Sequence, residues 1–328
     1  MKRNHVSLLL FLLLILVTFC LTSILFGSVK ISLEEFIDIL RGNQTNNFVI
    51  LMNIRLPRVA LSLLSGMNLA VSGLLLQTVL KNPLADPGIL GISSGAALGA
   101  TVILILFPVG TALVPIVAFL GGMLAFFSIL LFSWERELSP IRLVLSGVAV
   151  NAVIGGFQSV LMTMFSDRLH GVITWLNGDL SGKTWNQVLL VLGYSLPVYL
   201  LIVILLPKIN VLNLSDSTVY SLGLSVRTYR VLTAILGVFL AGITVSQVGL
   251  IGFVGLIVPH LVRLLVGGNL YKLFPYTLLI GAIVAVFADF IARMIISPME
   301  IPIGTVMSIV GGPFFLYLLS VQKKGRAV

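Results

Sequence analysis

The sequence predicts an all-α integral membrane protein of about ten transmembrane helices with an inverted internal repeat. Three observations carry that expectation. The chain has 328 residues, of which 58% are hydrophobic and only 9% charged, where a soluble domain carries about 25% charge. Charge-free or nearly charge-free runs recur at 6–29, 59–80, 88–134, 143–166, 184–207, 231–262, 273–288 and 301–321. Such runs suit a hydrocarbon core about 30 Å thick. Finally, Arg55-Leu-Pro-Arg58 is echoed by Arg227-Thr-Tyr-Arg230, 172 residues later, and the same offset carries Pro87 to Pro259.

The first run follows Lys2 and Arg3. It is longer than a signal-peptide core and lacks a small-residue cleavage site. Phe19 before Cys20 argues against a lipoprotein signal, so 6–29 reads as the first span. Cys20 is the sole cysteine and allows no internal disulfide. The second span, 59–80, contains Ser65, Gly66, Asn68, Ser72, Gly73 and Gln77. That is too polar for a helix facing lipid alone, so it packs inside a bundle. Pro83, Pro87 and Gly88 then interrupt the chain, and irregular backbone at membrane depth needs protein or a water-lined cavity around it.

The run 88–134 divides at Phe107-Pro108-Val109-Gly110 into two spans. Single spans follow at 143–166 and 184–207. Region 231–297 divides at Pro259-His260 and at Pro275 into three spans, at least one of them short or kinked, and 301–321 is the tenth. Both termini then share a side. With that side inside, thirteen of the twenty Lys and Arg lie on inner segments and seven on outer ones, which places the termini in the cytoplasm. The net charge of +9 is thereby topology, and no nucleic-acid partner is expected. Five spans separate the two Arg-x-x-Arg copies, so the copies enter from opposite sides, as inverted repeats do in transporters. The chain is one permease-like domain. It comprises a first span with an outer loop (1–54), repeat one (55–183), a sixth span with an inner loop (184–226) and repeat two (227–328).

Three connections look more than connective. Leu33–Leu40 is amphipathic and should lie on the outer surface; Val172–Leu180, with Trp175, should be an outer interfacial helix. The inner loop 208–228 alternates apolar and small polar residues, so it should dock against something.

Reactive chemistry is sparse. Ser181-Gly182-Lys183-Thr184 resembles the end of a phosphate loop, but residue 177 is Asn where that loop needs Gly. His5, His170 and His260 are scattered, so no metal site and no cofactor is expected. No nucleophile–base pair appears, and the chain is not read as an enzyme. Asp289 and Arg293 are four apart on one helix and can pair. Asn68, Gln77, Asn151, Gln158, Thr244, Ser246 and Gln247 lie inside spans, where they either bond neighbouring helices or line a path. Arg55, Arg58 and Arg293 fall on the outer face, where they either bind lipid phosphates or grip acidic groups of an extracytoplasmic protein.

Arg-Leu-Pro-Arg followed by Ser72–Gly91, with Asn82-Pro83-Leu-Ala-Asp-Pro87 at its heart, resembles the FecCD-type permeases, the membrane subunits of iron–siderophore and vitamin B12 ABC importers. The likeness continues through Trp175–Leu180, Ser221–Leu224, Gly252–His260, Ala288-Asp289 with Arg293, Ile301–Gly304 and Gly311–Phe314. Asp179 departs from it, standing where a small hydroxyl residue is expected. The resemblance implies a ten-helix, type II importer-like fold and a dimer with an identical or paralogous subunit, with the path along the interface by the fifth and tenth helices. Two separate ATPase subunits and an extracytoplasmic binding protein are implied as partners. Arg55, Arg58 and Arg293 would hold that protein's acidic residues. Ser221, Leu222, Gly223 and Leu224 would couple to the ATPase. Gln77, Asn82, Pro83, Pro87, Asn151, Gln158, Pro259, His260 and Asp289 are structural or pathway candidates. The cargo implied is a ferric siderophore or a similar chelate such as haem or cobalamin. A secondary transporter driven by an ion gradient is the alternative, and it needs an acidic relay in the membrane for which only Asp289 qualifies.

Overall fold

A computed structural model describes residues 5–325 except 28, 44, 46 and 135–138, and describes no side chain at Leu40 or over 318–325. Its helices are α1 (His5–Leu25), α2 (Leu33–Leu40), α3 (Leu56–Val79), α4 (Ile92–Leu106), α5 (Val114–Phe132), α6 (Pro140–Met164), α7 (Leu169–Leu176), α8 (Trp185–Val211), α9 (Asp216–Ser221), α10 (Val226–Val248), α11 (Val254–Val266), α12 (Leu270–Met294) and α13 (Ile303–Gly325). A π-helical turn, Ile50–Arg55, leads into α3. The ten predicted spans correspond in order to ten apolar helices among the described residues. Seven of these are long and apolar enough to cross a membrane; α4, α11 and α13 are shorter.

The core is built on α3, 83% of whose apolar stretch is buried. It packs against α8, α10, α11 and α12. Close approach depends on the small residues noted in the sequence. A Cβ on Gly73 would stand 1.9 Å from the Gly255 carbonyl oxygen, and one on Gly66 would stand 2.1 Å from that of Gly281. In lipid, where the hydrophobic effect does not drive helices together, such contacts supply the packing. At the centre, Asn68 donates to Ser195 Oγ (2.8 Å) and Thr244 Oγ1 (2.9 Å) and accepts from the Tyr199 hydroxyl, tying α3 to α8 and α10.

The segments 80–91 and 249–253 are irregular, and they explain why α4 and α11 are short. Gly255, in the first turn of α11, meets Gly73, which lies within the last two turns of α3, so α11 starts inside the bundle and not beyond its end. Residues 86–88 and 250–252 face each other across a cavity of about 250 Å³. Pro259 and Pro275 were expected to divide spans, yet both lie inside helices, α11 and α12. The chain turns instead at Gly249 (φ 73°) and Phe253 (φ 67°), and again at Gly267 (φ 84°). Left-handed backbone ends a helix, whereas an interior proline removes one donor and crowds one carbonyl, a cost that surrounding contacts can offset. Pro259 leaves the Gly255 carbonyl without its helical partner, and Gln77 Nε2 donates to that carbonyl (3.3 Å).

The outer and inner segments assigned from the sequence gather at opposite ends of the bundle. At one end Arg168 donates to the Ile105 carbonyl (2.9 Å) and Trp185 to that of Met52 (2.8 Å). At the other, Tyr276 donates to the His5 carbonyl (2.9 Å) and Lys81 pairs with Asp216 (2.6 Å). The predicted outer helix 172–180 is α7, ending at Leu176; Gly178 (φ 72°) turns the chain so that Asp179 N–H donates to the Val248 carbonyl (2.7 Å).

Candidate functional site

Two sites occupy the two ends of the molecule. At the end that the sequence reading places outside, α3 brings Arg58, and α12 brings Asp289 and Arg293. Asp289 is 1% exposed and sits between two guanidinium groups. Arg58 Nε donates to its Oδ1 (3.0 Å) and Arg293 Nε to its Oδ2 (3.2 Å). A second fork of Arg58 reaches Glu300 Oε2 (2.8 Å), which also accepts from Ser181 Oγ (2.8 Å). Arg293 donates further to Ser23. Arg55 donates to the carbonyls of Ile24 (2.7 Å), Leu25 and Val29. The first two are end carbonyls of α1, where a cation also meets the negative end of the helix dipole.

The sequence placed these three arginines on one face of the protein, with acidic groups of a docked partner or lipid phosphates to bind. They do converge, but they are 6%, 8% and 9% exposed and bonded within the chain. An arginine near membrane depth must satisfy its donors, and here it does so with a buried aspartate and free helix-end carbonyls. A cleft of about 200 Å³ still opens on all three, walled in part by Gly27, Ile54, Pro298 and Glu300. Three cations face two carboxylates there, so the cleft keeps a positive excess. Partial burial pushes the Glu300 carboxyl up, but Arg58, the Ser181 hydroxyl and Arg293 outweigh it and hold the group below the usual range. Sequence spacing alone exposed only the Asp289–Arg293 pair. Ser23, Ser181 and Glu300 were missed because they come from three distant segments.

At the opposite end, Ser215 caps α9 by accepting from Thr218 N–H (3.3 Å). Asp216 anchors it. Lys81 donates to Asp216 (2.6 Å) and to the Leu214 carbonyl (2.8 Å), and Arg230 donates to both carboxylate oxygens (3.0 and 3.2 Å). Slight burial raises the Asp216 carboxyl, but these two cations carry it below its usual range. With its root fixed, the turn presents Tyr220, Ser221, Leu222 and Gly223 outward; Leu222 is 57% exposed and Leu224 half-buried. Gly223 at φ 75° makes the turn.

The other candidates divide. Asn82 accepts from Leu84 N–H (2.9 Å) in the inner turn, beside exposed Pro83, while Pro87 is buried against Gly255. Gln77 donates to the Ala85, Gly255 and Leu256 carbonyls and accepts from Arg263. Asn151 donates to the Gly88 carbonyl (3.1 Å) and accepts from Ser94. Pro259 and His260 are buried in α11, and Gln158 is half-buried on α6 beside Met162. Among the described residues no group of three His, Cys, Asp or Glu could hold a metal ion.

A buried helical body with one cationic end and one greasy, anchored loop at the other defines a multi-pass membrane permease. The chain belongs to the FecCD transport family, which matches residues 13–321. It is 35% identical to the Fe(3+)-citrate import system permease protein YfmE of Bacillus subtilis (strain 168), over 98% of this chain and 97% of that one. It is likewise 35% identical to the protein named "Probable heme-iron transport system permease protein IsdF" of Staphylococcus aureus (strain MSSA476), over 99% of each. The solved structure titled "An inward-facing conformation of a putative metal-chelate type ABC transporter" superposes with a TM-score of 0.85 at 30% identity, covering 96% of this chain and 99% of that one. PsaBC from Streptococcus pneumoniae shares the fold, with a TM-score of 0.60 at 19% identity over 87% of this chain and 95% of that one. The protein is an ABC importer permease of a bacterial membrane.

Proposed function

We propose that this chain moves a ferric chelate, of the siderophore, citrate or haem class, across the cytoplasmic membrane. An extracytoplasmic binding protein delivers the cargo at the arginine cleft. Two separate ATPase subunits engage α9 and the turn after it. Two permease chains, identical or paralogous, stand side by side, and all termini face the cytoplasm. The two Arg-x-x-Arg helices, α3 and α10, are the matching rods of an inverted repeat, each followed by a short helix. The named cargoes of the relatives motivate the chelate class.

One observation carries the reading: a guanidinium cleft and an exposed apolar turn occupy opposite ends of one bundle. Arginine pairs carboxylates in bidentate geometry, so an incoming acidic side chain can replace Glu300 on Arg58. Glu300→Gln should therefore tighten binding-protein docking, and Arg58→Glu should weaken it. An affinity unmoved by both would place docking elsewhere. Asp289, the one acidic candidate of the ion-gradient alternative, is instead engaged in ion pairs with Arg58 and Arg293. Proteoliposomes test the whole reading. Uptake of a radiolabelled ferric chelate should require ATP, the ATPase and the binding protein. Uptake that persisted without the ATPase and collapsed with a protonophore would overturn it.

A further inference from the structure

We propose that segment 81–91 transmits motion of α9 to α6, with Lys81 and Asn151 as positioning residues at its two ends; this rests on α9 being the ATPase contact. The helix α6 is the least buried of the long helices, with 11% of its apolar stretch inside the protein. Its buried residues are Leu143 and Gly147. Gly147 lies so close to the segment that a Cβ there would stand 2.2 Å from the Ile89 carbonyl oxygen. One turn later, Asn151 donates to the Gly88 carbonyl (3.1 Å) and accepts from Ser94. So α6 is seated on the segment's far end. Alongside that seat an apolar groove of about 1060 Å³ runs between α6, α4 and α5, lined by residues such as Val102, Leu124 and Val150. The helix has a pivot and room to swing.

The segment's near end is joined to α9. Lys81, in left-handed backbone (φ 47°), donates to Asp216 (2.6 Å) and to the Leu214 carbonyl (2.8 Å). Between its ends the segment is held in shape by local caps and by one bond from α3. Asn82 caps the Leu84 N–H, Asp86 caps the Gly88 N–H, and Gln77 donates to the Ala85 carbonyl. The Lys81–Asp216 pair is about one-third exposed, and such pairs add about 1 kcal/mol at most to stability. Its consequence is therefore positional: it sets where the segment stands relative to α9.

The test uses the complete importer in proteoliposomes and reads cargo moved per ATP hydrolysed. Lys81→Met keeps the Cβ and the reach, so the left-handed backbone is no more strained, while the charge is lost. Asn151→Leu keeps the volume and removes both bonds. Each should lower the ratio about tenfold, within the range of ordinary coupling energies. Lys81→Arg should restore it. The double variant should be no worse than the worse single one, because contacts on one path do not add. Should Asn151→Leu fail to accumulate, Ser94→Ala removes one of the same bonds and replaces it. Unchanged ratios, or defects that multiply, would overturn the proposal while leaving the importer reading intact. A merely structural role would lower the amount of complex and not the ratio. Wild-type transport without any ATPase would fell both.

Discussion

Arg58 holds two carboxylates of different kinds, and the difference sets what each contributes. Asp289 is 1% exposed and shared with Arg293, whereas Glu300 is 41% exposed at the rim. Removing one partner of a buried ion pair strands the other charge and costs about 3–5 kcal/mol, so Asp289→Leu should lower the thermal midpoint in detergent steeply. A rim pair contributes about 1 kcal/mol or less, and Glu300→Gln should leave the midpoint nearly in place. The pH dependence of that small contribution has a definite sign. The Glu300 carboxyl is held below its usual range in the fold. Its stabilisation is thus fully present above the ordinary glutamate value of about 4.3 and fades as pH falls below that value through the folded one. The difference between wild type and Glu300→Gln should stay constant from pH 8 to pH 5 and vanish in stronger acid. Equal midpoints for Asp289→Leu and wild type would contradict the buried network. Little of this network was legible beforehand. The i,i+4 spacing of Asp289 and Arg293 showed one edge of it, but the Arg58–Glu300 contact closes over a separation of 242 residues, which no local pattern records.

Among the elements, α3 has the least freedom to change. Gly73→Ala would drive a methyl group into the Gly255 backbone at 1.9 Å, and backbone cannot step aside as a side chain can. A loss of about 4 kcal/mol or more, the range reserved for severe core lesions, is expected in unfolding measurements. Gly237→Ala on α10 is the control. Its new methyl group would meet side-chain atoms alone, of Leu76 at 3.2 Å and Leu75 at 3.3 Å, and helix propensity favours alanine, so stability should move by about 1 kcal/mol or less. The burial of α3 could be read from its polar and small residues, because a lipid-facing helix has no use for Asn68 or Gln77. The helix breaks around α11 were misread for a physical reason. Proline is conspicuous in a sequence, but its missing donor was met by a side chain from another helix, while the decisive turns came from Gly249, Phe253 and Gly267. At the other end of the bundle, α9 pairs a capped, ion-anchored root with an exposed tip. Charged residues in place of Leu222 and Gly223 should let the protein insert and assemble while ATP is hydrolysed without uptake. Tightly coupled uptake in such a variant would move the ATPase contact away from this turn.

At the scale of the whole molecule, hydropathy and charge sufficed for the helices, their order and the sorting of loops to two ends, since alternation across a bilayer leaves little choice. Which end faces the cytoplasm rests on the thirteen-to-seven bias of Lys and Arg. The whole account depends on that orientation, because the cleft must meet a binding protein outside and α9 an ATPase inside. The direct test is sided labelling of two single-cysteine variants in a Cys20→Ser background, one at Lys30 in the exposed outer loop and one at Leu222 in the exposed inner turn. A membrane-impermeant maleimide should modify position 30 from the outside of intact cells and position 222 only in inside-out vesicles. Modification of both from one side, or the reverse pattern, would contradict the account.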